Sequence, residues 1–537
     1  MGPPDLVHNE MLRHLTPQAL EALLCIFNSL WERGLYPEVW RTATIIPVLK
    51  AGKSGLDPLH YRPIALTSAL GKLLERVVNS RLIWFLENQG VLSNAQCGFR
   101  KYRSTVDHIL TLDTEVRCAF RRKRHVGALF FDIEAAYDTT WRFGILQKLF
   151  KYGIRGTMGH FLASFLANRS FRVRIGGNLS EQFSQVNGVP QGGVLSVVLF
   201  GILINDIADH LSPAIGRALF VDDFSIWASG ATTRIVERQL QLAVKRLENW
   251  SAVNGLRFST AKTVGVHFCR FRRDCPDFSV RLRGAAIPVK PEVKFLGMIL
   301  DRRLTYSTHL KELRDRCFRA MNVLKCVART YYGADRKTLL LLYRSLVRSR
   351  LDYGCFIYDN ATKTSKRVLD TVHHTALRIV TGAFRTTPTA SLLVEAHEPS
   401  LTSRRQLLGM RYAIRIRQFP SHPAYEAVFS RTNLALFRTG EGERSARYPP
   451  FCSRMQSLLT EANINLREVM RMECPSVPPW RLVPPRVDLS LTDVRKGDIP
   501  PAVHKARALK HLSSYIDHTL SFTDGSKADD GLGCAFI

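Results

Sequence analysis

Apolar residues recur along this chain with two periods, one helical and one β-like. Leu20, Leu23, Leu24, Phe27, Leu30 and Trp31 fall at the threes and fours of a helix, behind Thr16-Pro17, a fitting N-cap and first-turn pair. Ala43 to Leu49 is a short β-like run that leads into the polar loop Lys50-Ala-Gly-Lys53-Ser-Gly. Val126 to Ile133 predicts an apolar strand, bounded by basic residues and Glu134. Gly193 to Leu211 predicts a long apolar helix, and Arg217 to Ser229 predicts strand, turn, strand, with Val221-Asp222-Asp223 at the turn. Val236, Leu240, Ala243, Leu247 and Trp250 repeat at spacings of a helix that stops near Asn254-Gly255. Helices mixed with antiparallel strands make the expected class α+β.

From residue 301 the pattern becomes helical and basic, with Leu339, Leu342, Tyr343, Leu346 and Val347 as one stripe. Arginines crowd residues 401–450. Pro475, Pro478, Pro479, Pro484, Pro485, Pro500 and Pro501 then read as a linker, because proline cannot sit in a helix interior. A new β-like run carrying Asp524-Gly525-Ser526 closes the chain.

Composition adds a partner class. The 537 residues carry 76 Lys+Arg against 46 Asp+Glu, a formal net charge of +30. Such an excess suits a polyanion, since each neutralised phosphate releases condensed counterions. At 45% hydrophobic residues the chain can bury a core, and its length suggests roughly three or four domains. The longest apolar stretch, Gly193 to Ile204, is short of the about 20 residues a bilayer span needs. No apolar segment of a signal peptide follows Met1, and Leu6 breaks a myristoylation pattern at Gly2. The 11 cysteines are scattered without a Cys-x-x-Cys pair, which argues against a disulfide framework and against a zinc ribbon. Cytoplasm and nucleus are the expected compartments, with no membrane partner.

The acids carry the candidate chemistry. Phe130-Phe131-Asp132-Ile133 puts a carboxylate at the end of an apolar strand, and Phe220-Val221-Asp222-Asp223-Phe224 puts two at a hairpin turn. Converging carboxylates repel unless a divalent cation neutralises them, and Mg²⁺ suits all-oxygen ligands shared with phosphates. Two such ions, about 4 Å apart, could serve an in-line phosphoryl transfer. Taken alone, Asp222-Asp223 reads as an ordinary Asp-rich hairpin turn; the motifs around it change that reading.

Order and spacing then become recognisable. Asp132 to Asp138 resembles motif A of reverse transcriptases, Gly188-Val189-Pro190-Gln191-Gly192-Gly193 to Ser196 resembles motif B, and Phe220 to Asp223 resembles motif C. Tyr61-Arg62-Pro63-Ile64, and Ala95-Gln96-Cys97-Gly98-Phe99-Arg100 with Ser104-Thr105, resemble fingers motifs of non-LTR (LINE-type) retrotransposon enzymes, with the Jockey-type elements as the nearest group. Leu256 to Thr263 looks like motif D and Phe295-Leu296-Gly297 like motif E, the primer grip. Ser521 to Ser526 resembles the first strand of an RNase H domain.

The resemblance implies a right-hand polymerase: an N-terminal helical segment over 1–39, fingers and palm over 40–300, a helical thumb over 301–400, a basic Pro-rich connector over 401–510 and a truncated RNase H-like start over 511–537. It implies an RNA-directed DNA polymerase that joins dNTPs to a DNA primer on an RNA template. Asp132, Asp222 and Asp223 would hold two Mg²⁺ ions, or Mn²⁺, with the backbone carbonyl of Ile133 beside them. Tyr137 would block a ribose 2′-OH, Arg62 (helped by Lys50 or Lys53) would meet the triphosphate, Gln191 and Gly192 would lie under the nascent pair, and Lys262 would protonate pyrophosphate. Asp524 matches the first metal ligand of RNase H; the other acids of that site are missing from the sequence, so RNase H activity is not expected, and the chain reads as a piece of a longer polyprotein. Several positions depart from the family: Val221 stands for the usual Ala, Gly193 for Ser, Val197 for Pro, and Thr139-Thr140-Trp141 follows motif A. The competing expectations are an inactive transposon-derived RNA-binding protein, and an RNA polymerase or maturase built on the same palm. Tyr331, Tyr332 and Trp31 are candidate stacking residues, with core packing as their alternative.

Overall fold

A computed structural model describes residues 5, 7–271, 275–329, 331–438, 449–472, 477–482, 491, 498–513, 523–528 and 531–536. The chain divides into two compact units, Met1–Cys474 and Pro475–Ile537.

In the first unit, β1 (Thr42–Leu49) and β2 (Tyr61–Leu66) form a hairpin, β3 (His125–Phe131) is wholly buried, and β4 (Arg169–Ile175), β5 (Asn178–Leu179) and β6 (Phe183–Gln185) follow. The hairpin of β7 (Gly216–Phe220) and β8 (Asp223–Gly230) precedes β9 (Val264–Phe268), a small pair of β10 (Arg281–Leu282) and β11 (Ala285–Ala286), then β12 (Val289–Lys290), and the hairpin of β13 (Glu292–Phe295) and β14 (Met298–Asp301). Two larger sheets result. One runs β2-β1-β4-β5 with β6 on β4; the other, the palm sheet, runs β12-β9-β3-β8-β7.

Why β3 is central follows from its sequence. Side chains alternate across a strand. Val126, Ala128 and Phe130 enter one hydrophobic core and Leu129 and Phe131 enter another, so the strand has no wet face. The helix Thr233–Val253 lays its predicted stripe, Val236 to Trp250, on the second core, capped at its start by the Thr232 hydroxyl, which accepts from Ile235 N–H at 3.4 Å. The helix Pro17–Glu32 likewise starts at a Thr16 cap.

The long apolar helix is shorter than its sequence predicts. It spans Val194–Ile204 rather than running to Leu211. Asn205 turns out of it, donating to Val91 carbonyl and accepting from Ser93 N–H, both at 2.8 Å. Lys148 also takes the Leu203 carbonyl that a further turn would need.

Beyond residue 301 the helices Ser307–Val327, Arg336–Tyr343 and Lys363–Thr381 pack together, as the basic helical pattern suggests. Helices Leu401–Arg417 and Phe451–Glu461, in the stretch read from sequence as a connector, enter the same core through Tyr412, Ala413, Ile416, Phe451, Met455 and Leu459. Their arginines are largely spent on structure: Arg404 pairs with Asp352 at 2.9 Å, and Arg405 with Asp359 at 2.8 Å. The second unit contains the helix Pro501–Leu512 and an antiparallel pair, β15 (Thr523–Ala528) and β16 (Gly531–Phe536). Among the described residues no helix is long and apolar enough to cross a membrane.

Candidate active site

Two strand ends bring the acids together. β3 pairs antiparallel with β8, Phe131 opposite Phe224, so the next step of the register sets Asp132 opposite Asp223. β7 and β8 close on Phe220 and Asp223, leaving Val221-Asp222 as a two-residue turn. Such a turn needs positive φ, and Val221 supplies it at φ 60°. For a β-branched residue that conformation costs on the order of 1–3 kcal/mol, so the surroundings must hold it.

They do so through the Ala95–Arg100 motif. Cys97 N–H donates to the Leu219 carbonyl at 2.9 Å and Leu219 N–H to the Ala95 carbonyl at 3.0 Å, which adds this segment to the edge of β7. The side-chain oxygen of Gln96, a buried residue, accepts from Gly98 N–H at 2.8 Å and from Val221 N–H at 3.3 Å. Gly98 is required by proximity: a Cβ there would stand 2.6 Å from Val221 Cγ2 and 2.8 Å from its backbone nitrogen. Gln96 is thus a support of the Val221-Asp222 turn, which its position in the Ala95–Arg100 motif does not reveal.

Asp222 and Asp223 sense their acidic neighbours. Asp223 is pushed up to about 6, first by burial and then by Asp222 and Asp132. Asp222 is raised by burial and by Asp132. Lys262, in the turn before β9, reaches Asp132 Oδ2 at 3.1 Å, so an ammonium already occupies one oxygen of the cluster. An all-carboxylate donor set, mutually repelling and already drawing in a cation, fits a divalent metal ion. Asp132 carbonyl accepts from Ser259 N–H at 2.8 Å, and Ile133 bridges Phe258, which ties motif A to the segment carrying Lys262.

Motif B docks on motif A through backbone. Val189 N–H donates to the Tyr137 carbonyl at 2.9 Å and Gly188 N–H to the Thr140 carbonyl at 2.9 Å. Gln191 carbonyl accepts from Ala65 N–H at 2.8 Å, on the strand that also carries Arg62. Gly192 sits at φ 129°, where a Cβ would stand 2.6 Å from the Ala65 carbonyl. Tyr137 is half-buried, stacks on Phe200 at 5.2 Å, and its hydroxyl is pushed up to about 12 by burial and by Asp222. The ring therefore stands between the apolar helix and the carboxylates. Arg62 is exposed on β2; Lys50 donates to the Leu59 carbonyl at 2.8 Å.

One residue the sequence reading missed is Glu75. Its Oε2 accepts from Val194 N–H at 2.8 Å and Leu195 N–H at 3.2 Å, and its Oε1 from the Tyr36 hydroxyl at 2.9 Å. A buried carboxylate from another helix thus caps motif B where Gly193 offers no hydroxyl. The spacing Gly71, Glu75, Val78, Leu82 puts an acid on a buried helical stripe, and that was the available signal.

Motif E is the hairpin β13–β14, turned at Leu296 (φ 44°) and Gly297 (φ 87°). The Tyr353 hydroxyl donates to the Leu296 carbonyl, and Thr105 lies 2.8 Å from the same hydroxyl, linking this tip to the thumb and to the Ser104-Thr105 motif. Tyr331 and Tyr332 are 98% and 75% exposed, outside any core, while Trp31 packs on Phe161. A cavity of about 710 Å³, lined by Trp141, Lys148, Asp206 and Trp250, includes none of Asp132, Asp222 and Asp223. Asp524 lies on β15, with Ala535 opposite in backbone register.

Residues 49–300 match the family model described as "Reverse transcriptase (RNA-dependent DNA polymerase)". The chain is 28% identical over 457 residues to the "RNA-directed DNA polymerase from mobile element jockey" of Drosophila melanogaster, covering 83% of this chain and 49% of that protein. It is 30% identical over 458 residues to the protein of the same name from Drosophila funebris, with the same coverage. The chain spans about half the length of the curated relatives it matches. An apo telomerase chain from Candida tropicalis overlays with a TM-score of 0.40 at 12% identity, over 76% of this chain and 68% of that one.

Proposed function

Because the chain carries a reverse transcriptase domain over residues 49–300 and is a relative of the RNA-directed DNA polymerases of Jockey-type elements, we propose that it copies RNA into DNA at Asp132, Asp222 and Asp223. The observation that carries this reading is the apposition of the Asp222-Asp223 turn to the end of β3, with motif B bonded to motif A through backbone. Two Mg²⁺ ions held by these carboxylates and the Ile133 carbonyl would supply charge neutralisation for in-line attack of a primer 3′-hydroxyl on the α-phosphate of a dNTP.

The chain's own residues supply the rest. Tyr137 fills the space where a ribose 2′-OH would project, which favours dNTPs. Gln191 and Gly192 let backbone approach the nascent pair. Arg62, exposed on β2, meets the triphosphate. Lys262 neutralises Asp132 before substrate arrives and transfers to the departing pyrophosphate as a proton donor. Tyr331 and Tyr332 would stack on nucleic acid, a role that their exposure supports. The RNase H reading of Asp524 rests on its motif and on the strand pairing of β15 alone.

Primer extension on homopolymer RNA with Mg²⁺ tests the proposal. Incorporation of dNTPs is expected, with a loss of at least about 10²–10³-fold in Asp222→Ala. RNA binding without incorporation by the starting protein would leave the inactive RNA-binding reading. Equal use of NTPs would favour an RNA polymerase and remove the role given to Tyr137.

A further inference from the structure

β3 has two ends. Asp132 leaves one. The other begins at His125, about 20 Å away along seven residues of strand, and gathers a second set of metal-ligating side chains. β9 pairs antiparallel with β3, Val126 opposite Phe268, so the register sets Cys269 opposite His125. Cys275 returns to the same place from the following loop. Ligand atoms of His125, Cys269 and Cys275 all lie within 4.8 Å of one another. We propose that these three residues form a zinc site that pins the rear of the palm sheet, with solvent in the fourth position.

Three features carry this. First, the two sulfurs stand 3.7 Å apart. Sulfurs each about 2.3 Å from a tetrahedral zinc are separated by about 3.7–3.8 Å, whereas a disulfide requires about 2.05 Å. Second, the imidazole is prepared. His267 Nδ1 lies 2.9 Å from Asp277 Oδ1, which can only accept, and 3.2 Å from Arg302 Nη2, which can only donate; the shorter contact, to the carboxylate, is met when Nδ1 carries the proton. That leaves His267 Nε2 to accept from His125 Nδ1–H at 3.0 Å, and leaves the lone pair of His125 Nε2 for a metal. The partner behind the ligating imidazole is thus a second histidine, His267, itself backed by Asp277, and Arg302 fixes this carboxylate by donating to it at 2.5 Å. Third, the donor set of two thiols and an imidazole suits zinc and does not suit Mg²⁺, so this site would not compete for the ions of the carboxylate cluster. His125 and Cys269 are buried and Cys275 is half-buried, which leaves one side of the site open to a water ligand. Binding would release the two thiol protons to solvent and join β3, β9 and the loop to Asp277 through one ion.

The site is independent of the polymerase reading, and its test keeps the two apart. The full chain is purified with thiols reduced and zinc supplied, then read by elemental analysis, X-ray absorption at the zinc edge and cobalt substitution. About one zinc per chain is expected, with two sulfur neighbours at about 2.3 Å, and cobalt exchange should give thiolate charge-transfer absorption. Asp222→Ala should keep all three signals; Cys269→Ser with Cys275→Ser should lose them. The absorption spectrum of the unsubstituted protein decides the matter even if that double variant does not fold. Protein isolated reduced without zinc, zinc without sulfur neighbours, or a Cys269–Cys275 disulfide in protein trapped at lysis would each overturn the proposal.

Discussion

Aspartates in this fold live in two contrasting settings. Asp132, Asp222 and Asp223 stand together at the open end of the palm sheet, and among the described residues only Asp132 of the three is paired with a cation. Asp107, Asp113 and Asp359 lie in or under the helices, and each is surrounded by donors. Asp107 takes Tyr412 hydroxyl at 2.8 Å and Ser104 N–H at 2.6 Å, with His422 at 3.3 Å. Asp359 holds Arg405, Lys366 and Arg454 within 3.2 Å. Burial pushes the carboxyls of Asp107, Asp359, Asp222 and Asp223 up. At Asp107 and Asp359 the partners outweigh burial and hold them below the ordinary range, whereas Asp222 and Asp223 end above it. Acids whose charge is answered by the protein build the fold; acids whose charge the protein leaves unanswered are kept for something that binds.

The sharpest way to break that distinction is to remove one acid of each kind. Asp113 is fully buried, accepts from Arg117 at 2.8 Å and from the Tyr306 hydroxyl at 2.5 Å, and Arg117 is itself 1% exposed. Asp113→Ala would strand a buried guanidinium and should cost about 3–5 kcal/mol in denaturant unfolding. Asp222→Ala removes an exposed, repelled carboxylate and should change stability by less than about 1 kcal/mol while abolishing incorporation. If the two substitutions destabilise equally, the division into structural and chemical acids fails.

Glu75 stands between the groups, because it is buried like the first yet shapes the site like the second. Burial raises its pKa, and its bonds to Leu195 and Tyr36 hold back part of that rise. Glu75→Ala should cost about 2 kcal/mol by orphaning the first N–H groups of the motif B helix. Gly193 is the N-cap position, at φ −74° and ψ 146°, where serine is comfortable. A Cβ there would press on the rotatable Ser196 hydroxyl, at 2.6 Å, and more lightly on Pro190 Cγ, at 3.3 Å. Gly193→Ser in the Glu75→Ala background should therefore recover about 1 kcal/mol. A cycle showing no recovery would mean that Glu75 acts through Tyr36 rather than as a cap.

What the sequence disclosed and what it hid divide along the same line. The catalytic turn, the end of β3 and the Gly188–Gly193 loop are local, since a few adjacent residues carry each one, and periodicity plus motif order read them directly. Glu75, Gln96, His125 with Cys269, and Tyr353 act across the chain: Glu75 meets a helix 119 residues on, and Gln96 supports Val221 from 125 residues away. Nothing in a window around Gly193 shows that its missing hydroxyl is replaced by a carboxylate. The arginines of 401–417 show the same reach: the acids that claim Arg404 and Arg405 lie 52 and 46 residues upstream.

The smallest effect expected tests the seam between the two settings. His108 is buried on the helix that carries Asp107, and its Nε2–H donates to the Leu219 carbonyl at 3.0 Å, two residues before the catalytic turn. Burial pushes its pKa down to about 4, against a model-peptide value of 6.5, with Asp107 opposing the shift and Arg103 and His422 adding to it. Between those values the unfolded chain binds a proton that the folded chain does not. The contribution of His108 to stability is therefore complete above pH 6.5 and is lost as pH falls toward 4. At pH 5.5 the loss is about 1 kcal/mol. His108→Gln keeps a donor for Leu219 without the titration, so its stability should fall less steeply than the parent's from pH 7 to pH 5.5. Parallel curves for the two proteins would show that the proton enters elsewhere, and that the helix beneath the active site answers acid through Asp107 rather than through the residue that touches β7.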